Sequence, residues 1–238
     1  MNTKQEALLN LVVFDIDGTL TDTKKVDLEC YLRALRDEFR VEATEKTVIE
    51  DDLVTDTGFA QTTFMHAHGV NPSESDIERL RARFMSYVEE ATKVDPRLIQ
   101  EIRGAAHLLA LLNVNPRWEV AVATGCWEQS AIYKLRQSGL YNPSIPMATC
   151  DDAPRRSLIV SLAVRRALED HKVERFERIV LVGDRPWDVR VATMLNYPFI
   201  GIDSDGILAS VGASTVVRDY SEPNAFIDLL ESVSVPGN

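Results

Sequence analysis

The sequence contains only three cysteines, no apolar run long enough to cross a membrane and no excess of basic charge. An odd number of cysteines does not complete a set of disulfides, which favours a reducing compartment inside the cell. The first residues also lack the basic start and long apolar core of a secretion signal. We therefore expect a cytoplasmic protein that neither enters a membrane nor depends on disulfides.

The charge balance is strongly acidic. The 238 residues include 26 basic and 37 acidic side chains, giving a formal net charge of -11. A chain of this charge does not attract nucleic acid non-specifically, because the phosphate backbone is itself negative, and no basic stripe with interleaved aromatics is present. We expect no nucleic-acid partner. Any phosphorylated ligand must therefore be held by local cations or by a metal ion.

Short apolar runs alternate with segments of helical spacing. The runs are continuous rather than alternating, which is typical of strands buried on both faces of a parallel sheet. They are Leu11–Phe14, Val120–Ala123, Ile179–Val182, Phe199–Ile202 and Thr215–Val217. Strands that alternate with helices predict an α/β fold with a doubly wound, Rossmann-like parallel sheet. Ligands of such sheets bind at the carboxyl ends of the strands.

One long segment interrupts this alternation after the first strand. From about Thr23 to about Arg103 the pattern is helical, with an amphipathic repeat through Leu28, Leu32, Leu35 and Phe39. Ser73 and Asp76 have the spacing that opens a further helix. We interpret residues 23–103 as an inserted all-helical cap domain, and residues 1–22 and 104–238 as the α/β core domain.

The first apolar run ends in two aspartates, Asp15 and Asp17, followed by Gly18. One carboxylate can attack phosphorus while the other protonates the leaving oxygen and later activates water. The glycine allows backbone N–H groups to approach an anion closely. A solvated turn is the alternative, since Asp and Gly are common in turns. The longer pattern, Asp-x-Asp-Gly-Thr-Leu-Thr after a buried strand, favours the catalytic interpretation.

Polar residues also follow two later strands. Thr124 and Gly125 end the second run, where a hydroxyl can donate to a phosphoryl oxygen, although Thr and Gly are also ordinary strand and turn residues. Asp184 and Asp188 follow the third run in the pattern Gly-Asp-x-x-x-Asp. Carboxylates from separate strand ends make an oxygen-only site that suits Mg²⁺. Capping of a helix N-terminus is the alternative role for these aspartates.

In this order, the motifs resemble those of the haloacid dehalogenase superfamily, in its phosphatase branch with a helical cap, similar to phosphoglycolate phosphatases. The resemblance implies that Asp15 is the nucleophile, which forms an aspartyl-phosphate, and that Asp17 is the general acid and base. It further implies Thr124, with Gly18 and Gly125 beside it, as phosphate ligand. The implied Mg²⁺ ligands are Asp15, Asp17 (through its backbone carbonyl), Asp184 and Asp188. The dehalogenase branch lacks the second Asp, so Asp17 favours phosphoryl transfer.

The third motif departs from the family pattern, which has a lysine at that point. The corresponding region contains no Lys-Pro pair but two arginines, Arg155 and Arg156. A guanidinium can bridge a carboxylate and a phosphate. We predict Arg156 as the phosphate-binding cation, with Arg155 as the alternative.

Four further positions carry weaker predictions. Lys24 can reach an anionic ligand or remain solvated, and Cys126 lies near the pocket without a chemical role. Trp187 is expected to pack beneath its loop. The segment at Gly58 is either a specificity loop of the cap or a plain helix start.

A magnesium-dependent phosphatase acting on a small phosphorylated metabolite is the function that the sequence favours. Several carboxylates about 4 Å from a phosphate dianion repel it by roughly 4 kcal/mol per pair at an effective dielectric near 20, so a cation is required. A phosphomutase on the same fold and a non-catalytic regulator that binds phosphorylated ligands remain alternatives. The physiological substrate, and the choice between monomer and homodimer, stay open.

Overall fold

A central parallel sheet organises the protein, whose computed structural model describes residues 9–44, 51–203 and 206–237. The six strands of this sheet are β1 (Asn10–Phe14), β4 (Trp118–Ala123), β5 (Met147–Ala148), β6 (Arg178–Gly183), β7 (Phe199–Ile202) and β8 (Val216–Val217). Their spatial order is β5-β4-β1-β6-β7-β8, and all neighbours are parallel. A separate antiparallel pair joins β2 (Thr21–Asp22) to β3 (Gln100–Glu101).

Helices occupy most of the remaining described chain. They are α1 (Lys24–Phe39), α2 (Asp56–His68), α3 (Glu74–Val94), α4 (Ala105–Asn113), α5 (Glu128–Gln137), α6 (Arg156–His171), α7 (Pro186–Leu195), α8 (Ile207–Ser210) and α9 (Pro223–Ser232), with short 3₁₀ turns at Asp51–Leu53 and Pro96–Leu98. Helix α3 begins with the expected reciprocal cap between Ser73 and Asp76. None of the described helices combines the length and the apolar character that crossing a membrane requires.

Both faces of the sheet are covered, as the continuous apolar runs predict. Alternate residues of β1 point to opposite faces, so Leu11 and Val13 pack with α6 and α7, while Val12 and Phe14 pack with α4, α5 and α9. All five residues of β1 are buried. The prediction of a doubly wound α/β fold is therefore confirmed.

The register of β1 determines where the motifs meet. Phe14 pairs with Val122 of β4 and with Val182 of β6, so the three strands end side by side. The residues that follow them therefore emerge at one edge of the sheet, which includes Asp15 and Thr124.

The structure differs from the sequence prediction at three short strand segments. The expectation of no strand between Thr23 and Arg103 was wrong at Gln100–Glu101, and neither its partner Thr21–Asp22 nor Met147–Ala148 was predicted. Segments of two residues contain no apolar run or alternation from which a strand could be recognised. The pair β2–β3 joins the two ends of the helical insertion, α1 to α3. The division into cap and core domains at these points remains a prediction.

Candidate active site

Three buried aspartates converge at the carboxyl edge of the sheet. Asp15 follows β1 directly, Asp184 follows β6, and Asp188 lies in the first turn of α7, and one carboxylate oxygen from each lies within 4.8 Å of the others. Oδ1 of Asp15 and Oδ1 of Asp184 are buried and accept no hydrogen bond from the described chain. Orphaned buried carboxylate oxygens are costly unless a cation satisfies them. The donor set therefore fits a hard divalent ion such as Mg²⁺.

The pKa values of two of these aspartates are also consistent with a divalent ion at this site. Burial raises the pKa of Asp184 to about 6. Burial also raises the pKa of Asp188 to about 8, against the opposing charge of Arg156. Burial therefore favours the protonated form of Asp188 near neutral pH, whereas a divalent ion would favour its ionised form.

Arg156 supplies a positive charge from the start of α6. Its Nη1 lies 3.1 Å from Oδ1 of Asp188 and 3.5 Å from Oδ2 of Asp15, and its Nε donates to the carbonyl of Val54 at 2.7 Å. Burial would lower the pKa of this guanidinium, but the two carboxylates raise it. Arg155 instead faces Asp52 at 3.3 Å, with 43% of its side chain exposed. Of the two arginines, Arg156 is the one that lies beside Asp15, and its contact with phosphate stays a prediction.

A second cation, Lys24, reaches the site from the start of α1. Its Nζ lies 2.9 Å from Oδ2 of Asp184, and Nε of Arg185 lies 3.4 Å from the same oxygen. Lys24 is therefore an ion-pair partner of Asp184, and its contact with an anionic ligand stays a prediction. Gly18 makes this approach possible, because its φ is 81° and a Cβ there would overlap Asp184 and Lys24.

Thr124 and Gly125 border the same space as Asp15. Thr124 is 1% exposed, and its Oγ1 accepts a hydrogen bond from the backbone N–H of Cys126 at 3.3 Å. A Cβ on Gly125 would lie 2.8 Å from both Nη2 of Arg156 and the carbonyl oxygen of Val54. The glycine therefore leaves room for the guanidinium, a packing role beyond the predicted phosphate contact.

The carboxylate of Asp17 lies apart from the acidic trio. Its Oδ2 accepts hydrogen bonds from Nζ of Lys134 at 2.6 Å and from the thiol of Cys126 at 2.7 Å, and its Oδ1 accepts one from Thr23 at 2.5 Å. Burial opposes ionisation, but the Lys134 ammonium and these donors lower the pKa of Asp17. Cys126 lies near the pocket as expected, and its thiol donates to the carboxylate of Asp17, a contact that the sequence did not predict.

Sequence reasoning missed Lys134, although its helix carries a signal. The buried residues of α5 are Ser130, Ala131, Lys134 and Leu135, a helical repeat that places the lysine on the apolar face. A lysine at such a position usually has a buried carboxylate partner. Applied to α5, this criterion would have identified Lys134.

A cavity of about 510 Å³ opens from the aspartates toward the helical insertion. Its walls include Asp27, Leu28 and Tyr31 from α1, Asp56 and Phe59 from α2, and Trp187 and Ile207 from the core. Trp187 was expected beneath its loop but lines this cavity. Gly58 lies within the first turn of α2, so the plain helix start is the correct alternative for that segment.

Trp127 joins the loop after β4 to the helical insertion. The fully buried indole lies 5.6 Å from the ring of Tyr31 and 5.9 Å from that of Phe84. Its Nε1 donates to Thr57 at 2.8 Å, and its backbone N–H donates to Asp56 at 2.9 Å. Burial raises the pKa of Asp56 to about 8. The helices over the cavity are thus anchored to the strand end that carries Thr124.

The family model of the haloacid dehalogenase-like hydrolases matches residues 12–202. The chain therefore belongs to that family, as its motifs predict. Among curated protein sequences, none matches the chain significantly.

Solved structures share the fold over nearly the whole chain. A candidate beta-phosphoglucomutase from Bacteroides vulgatus has a TM-score of 0.71 and 16% identity, with 96% of this chain and 91% of that one covered. A hydrolase from Pseudomonas syringae has a TM-score of 0.68 and 21% identity, with coverages of 91% and 97%. CbbY from Rhodobacter sphaeroides, in complex with xylulose-(1,5)bisphosphate, has a TM-score of 0.66 and 18% identity, with coverages of 90% and 96%. At these identities the likeness concerns the fold.

Proposed function

We propose that this protein is a cytoplasmic, Mg²⁺-dependent phosphatase that hydrolyses a small phosphorylated metabolite through an aspartyl-phosphate on Asp15. One observation carries the proposal. The buried Asp15 and Asp184 each keep an oxygen without a hydrogen bond inside the acidic trio, beside the guanidinium of Arg156. Such a site provides a nucleophile together with the means to neutralise a phosphoryl group.

The side chains of Asp15, Asp184 and Asp188 would hold the metal ion, and the family resemblance adds the backbone carbonyl of Asp17. Bound Mg²⁺ would supply positive charge that offsets the repulsion between the phosphoryl oxygens and these carboxylates. Arg156 contributes a second positive charge, since its Nη1 lies 3.5 Å from Oδ2 of Asp15, and the hydroxyl of Thr124 is the proposed neutral donor.

The chain's own groups then account for both half-reactions. In the first, an oxygen of Asp15 bonds to phosphorus, the bond from phosphorus to the leaving oxygen breaks, and Asp17 passes a proton to that oxygen. In the second, a water oxygen bonds to phosphorus, its proton moves to Asp17, and the bond between Asp15 and phosphorus breaks. Proton transfer by Asp17 in both directions is general acid and base catalysis.

Residues 23–103 are proposed as the cap that selects the substrate. Asp27, Tyr31 and Phe59, all from this insertion, line the cavity in which the leaving group would lie. The cavity combines apolar side chains such as Leu28 and Phe59 with many charged ones, and a concave site of this size is typical for small molecules. We therefore assign the cavity to one small phosphorylated metabolite.

A phosphomutase is the second candidate. The candidate beta-phosphoglucomutase from Bacteroides vulgatus shares this fold, and Asp15 and Asp17 would serve a mutase equally. A mutase returns the phosphoryl group to a sugar phosphate, whereas a phosphatase releases inorganic phosphate. The non-catalytic regulator, the third possibility, would bind phosphorylated ligands without turning them over.

The decisive experiment measures phosphate release from a panel of phosphorylated metabolites, with Mg²⁺ and with chelator. The proposal expects release that needs Mg²⁺ and disappears in Asp15→Asn, while the exposed control Asp170→Asn retains it. Isomerised sugar phosphate without net phosphate release would identify the mutase. Equal phosphate release by Asp15→Asn and the unmodified protein would contradict catalysis at this site.

A further inference from the structure

We propose that Lys134 is a positioning residue, which holds the carboxylate of Asp17 in place for proton transfer and is itself held by Asp27. This inference rests on the proposed function, because it concerns the acid and base of that reaction. It assigns a role to a buried cation outside the acidic trio.

The geometry of Lys134 is that of a shared counter-ion. Its side chain is 1% exposed, and Nζ lies 2.6 Å from Oδ2 of Asp17 and 2.7 Å from Oδ1 of Asp27. The ammonium also donates to Sγ of Cys126 at 3.1 Å. All three donor positions of the ammonium are therefore used. These contacts bring together α5, the loop after β1 and the first turns of α1.

Burial of a lysine at this position needs an explanation beyond packing. Desolvation of an ammonium costs several kcal/mol even after relaxation, and an apolar side chain of similar volume is often as stable. Methionine would fill the same space on the apolar face of α5. The lysine therefore serves the carboxylates that it contacts rather than the core around it.

Asp17 is held at both of its oxygens. Lys134 and Cys126 donate to Oδ2, and Thr23 donates to Oδ1. Without Lys134, one of the two donors to Oδ2 of Asp17 would be lost. The carboxyl would then be less firmly oriented, although it must deliver its proton to one defined oxygen.

Asp27 gives the buried ammonium a second carboxylate contact that does not depend on Asp17. It lies on α1, its Oδ1 is 2.7 Å from Nζ, and it also lines the cavity. Lys134 therefore has a carboxylate partner besides the residue that transfers the proton.

Substrates with different leaving groups distinguish a positioning role of Lys134 from a purely structural one. Nitrophenolate departs without a proton, whereas an alkoxide requires one. The kinetic constant kcat/KM reports the steps up to leaving-group departure. A residue that positions Asp17 therefore affects kcat/KM for an alkyl phosphate and spares kcat/KM for p-nitrophenyl phosphate.

The experiment compares kcat/KM for glycerol 2-phosphate and p-nitrophenyl phosphate, with Mg²⁺, in the full chain and in Lys134→Met. We expect a loss of about tenfold or more with the alkyl ester and less than about threefold with the aryl ester. Leu135→Ala, a buried neighbour on the same helix, is the control for general loosening, and it should change both constants by the same factor.

Equal losses with both esters in Lys134→Met would overturn the inference and leave the phosphatase proposal intact. No hydrolysis of either ester by the unmodified protein would overturn both. If thermal unfolding followed by circular dichroism shows that Lys134→Met does not fold, Lys134→Gln takes its place. The glutamine keeps one donor toward Asp17, and the same selective loss with the alkyl ester is required of it.

Discussion

Nη1 of Arg156 lies 3.1 Å from Oδ1 of Asp188, and the other oxygen of Asp188 accepts the backbone N–H of Arg185 at 3.0 Å. The aspartate is thus oriented by its own helix start and in turn orients the arginine. The planar guanidinium reaches Asp188 and Asp15 together, and its Nε still binds the carbonyl of Val54. From this fixed geometry we expect Arg156 to serve where the family pattern has lysine.

Replacement of this arginine tests its role. We expect Arg156→Met to lower kcat/KM by about 100-fold or more, because one preorganised donor to phosphoryl oxygen is lost. Arg156→Lys should recover only part of the activity. An ammonium keeps the positive charge but cannot bind two oxygens at once as the planar guanidinium does. Arg155→Met is the matched control and should stay within about threefold. Steady-state kinetics with the best substrate of the panel would contradict this assignment if the two Met variants were equally impaired.

Replacement of Gly18 tests whether Asp184 and Lys24 need the space beside its backbone. Its φ is 81°, and a Cβ would overlap Asp184 and Lys24, whereas Gly139 has a φ of 75° and open space around it. Both Gly→Ala variants should lose about 1 to 2 kcal/mol of unfolding free energy from backbone strain. Only Gly18→Ala should also require more Mg²⁺ for half-maximal activity. Urea unfolding and Mg²⁺ titration check this, and equal Mg²⁺ requirements in the two variants would argue against the steric account.

Metal binding should release protons at mildly acidic pH. Burial raises the pKa of Asp184 to about 6 and that of Asp188 to about 8. Below these values the carboxyls carry protons that Mg²⁺ must displace, so the apparent affinity should strengthen as pH rises through this range. Asp188→Asn should remove the part of this pH dependence that lies near pH 8.

Calorimetric titration with Mg²⁺ in two buffers of different ionisation enthalpy measures the protons released. We expect release at about pH 6.5 and little at about pH 9. Identical heats in both buffers at the lower pH would show that the carboxyls are already ionised before the metal binds.

The anchor formed by Trp127 should contribute strongly to stability. The indole is fully buried between Tyr31 and Phe84, so Trp127→Ala should cost about 3 to 5 kcal/mol of unfolding free energy. Trp127→Phe keeps a ring but loses the hydrogen bond to Thr57, and about 1 kcal/mol is expected.

Urea unfolding followed by circular dichroism gives these values. The exposed Leu158→Ala on α6 is the control, with a change within about 0.5 kcal/mol. If Trp127→Ala changed the unfolding free energy as little as Leu158→Ala does, the contacts of Trp127 with the helical insertion would not contribute to stability.

Local sequence patterns were sufficient to predict most of the strands of the main sheet and several residues of the candidate site. The buried runs predicted β1, β4, β6 and β7 within two residues at each end, because a strand buried on both faces leaves a continuous apolar signature. The same reasoning located Asp15, Thr124 and Asp184, since parallel strands present their carboxyl ends at one edge. The start of α3 followed from the spacing of Ser73 and Asp76 alone.

The sequence by itself thus determined the sheet and the acidic strand ends, which depend on residues a few positions apart. Only the tertiary structure decided that Arg156 rather than Arg155 faces Asp15, because that choice depends on how α6 is rotated against the sheet. It also decided that Lys134 meets Asp17, 117 positions earlier in the chain, and Asp27, 107 positions earlier. The physical reason is that a buried charge meets its partner through the packing of whole helices. The repeat in α5 therefore marks Lys134 as buried but does not identify the carboxylates that it contacts.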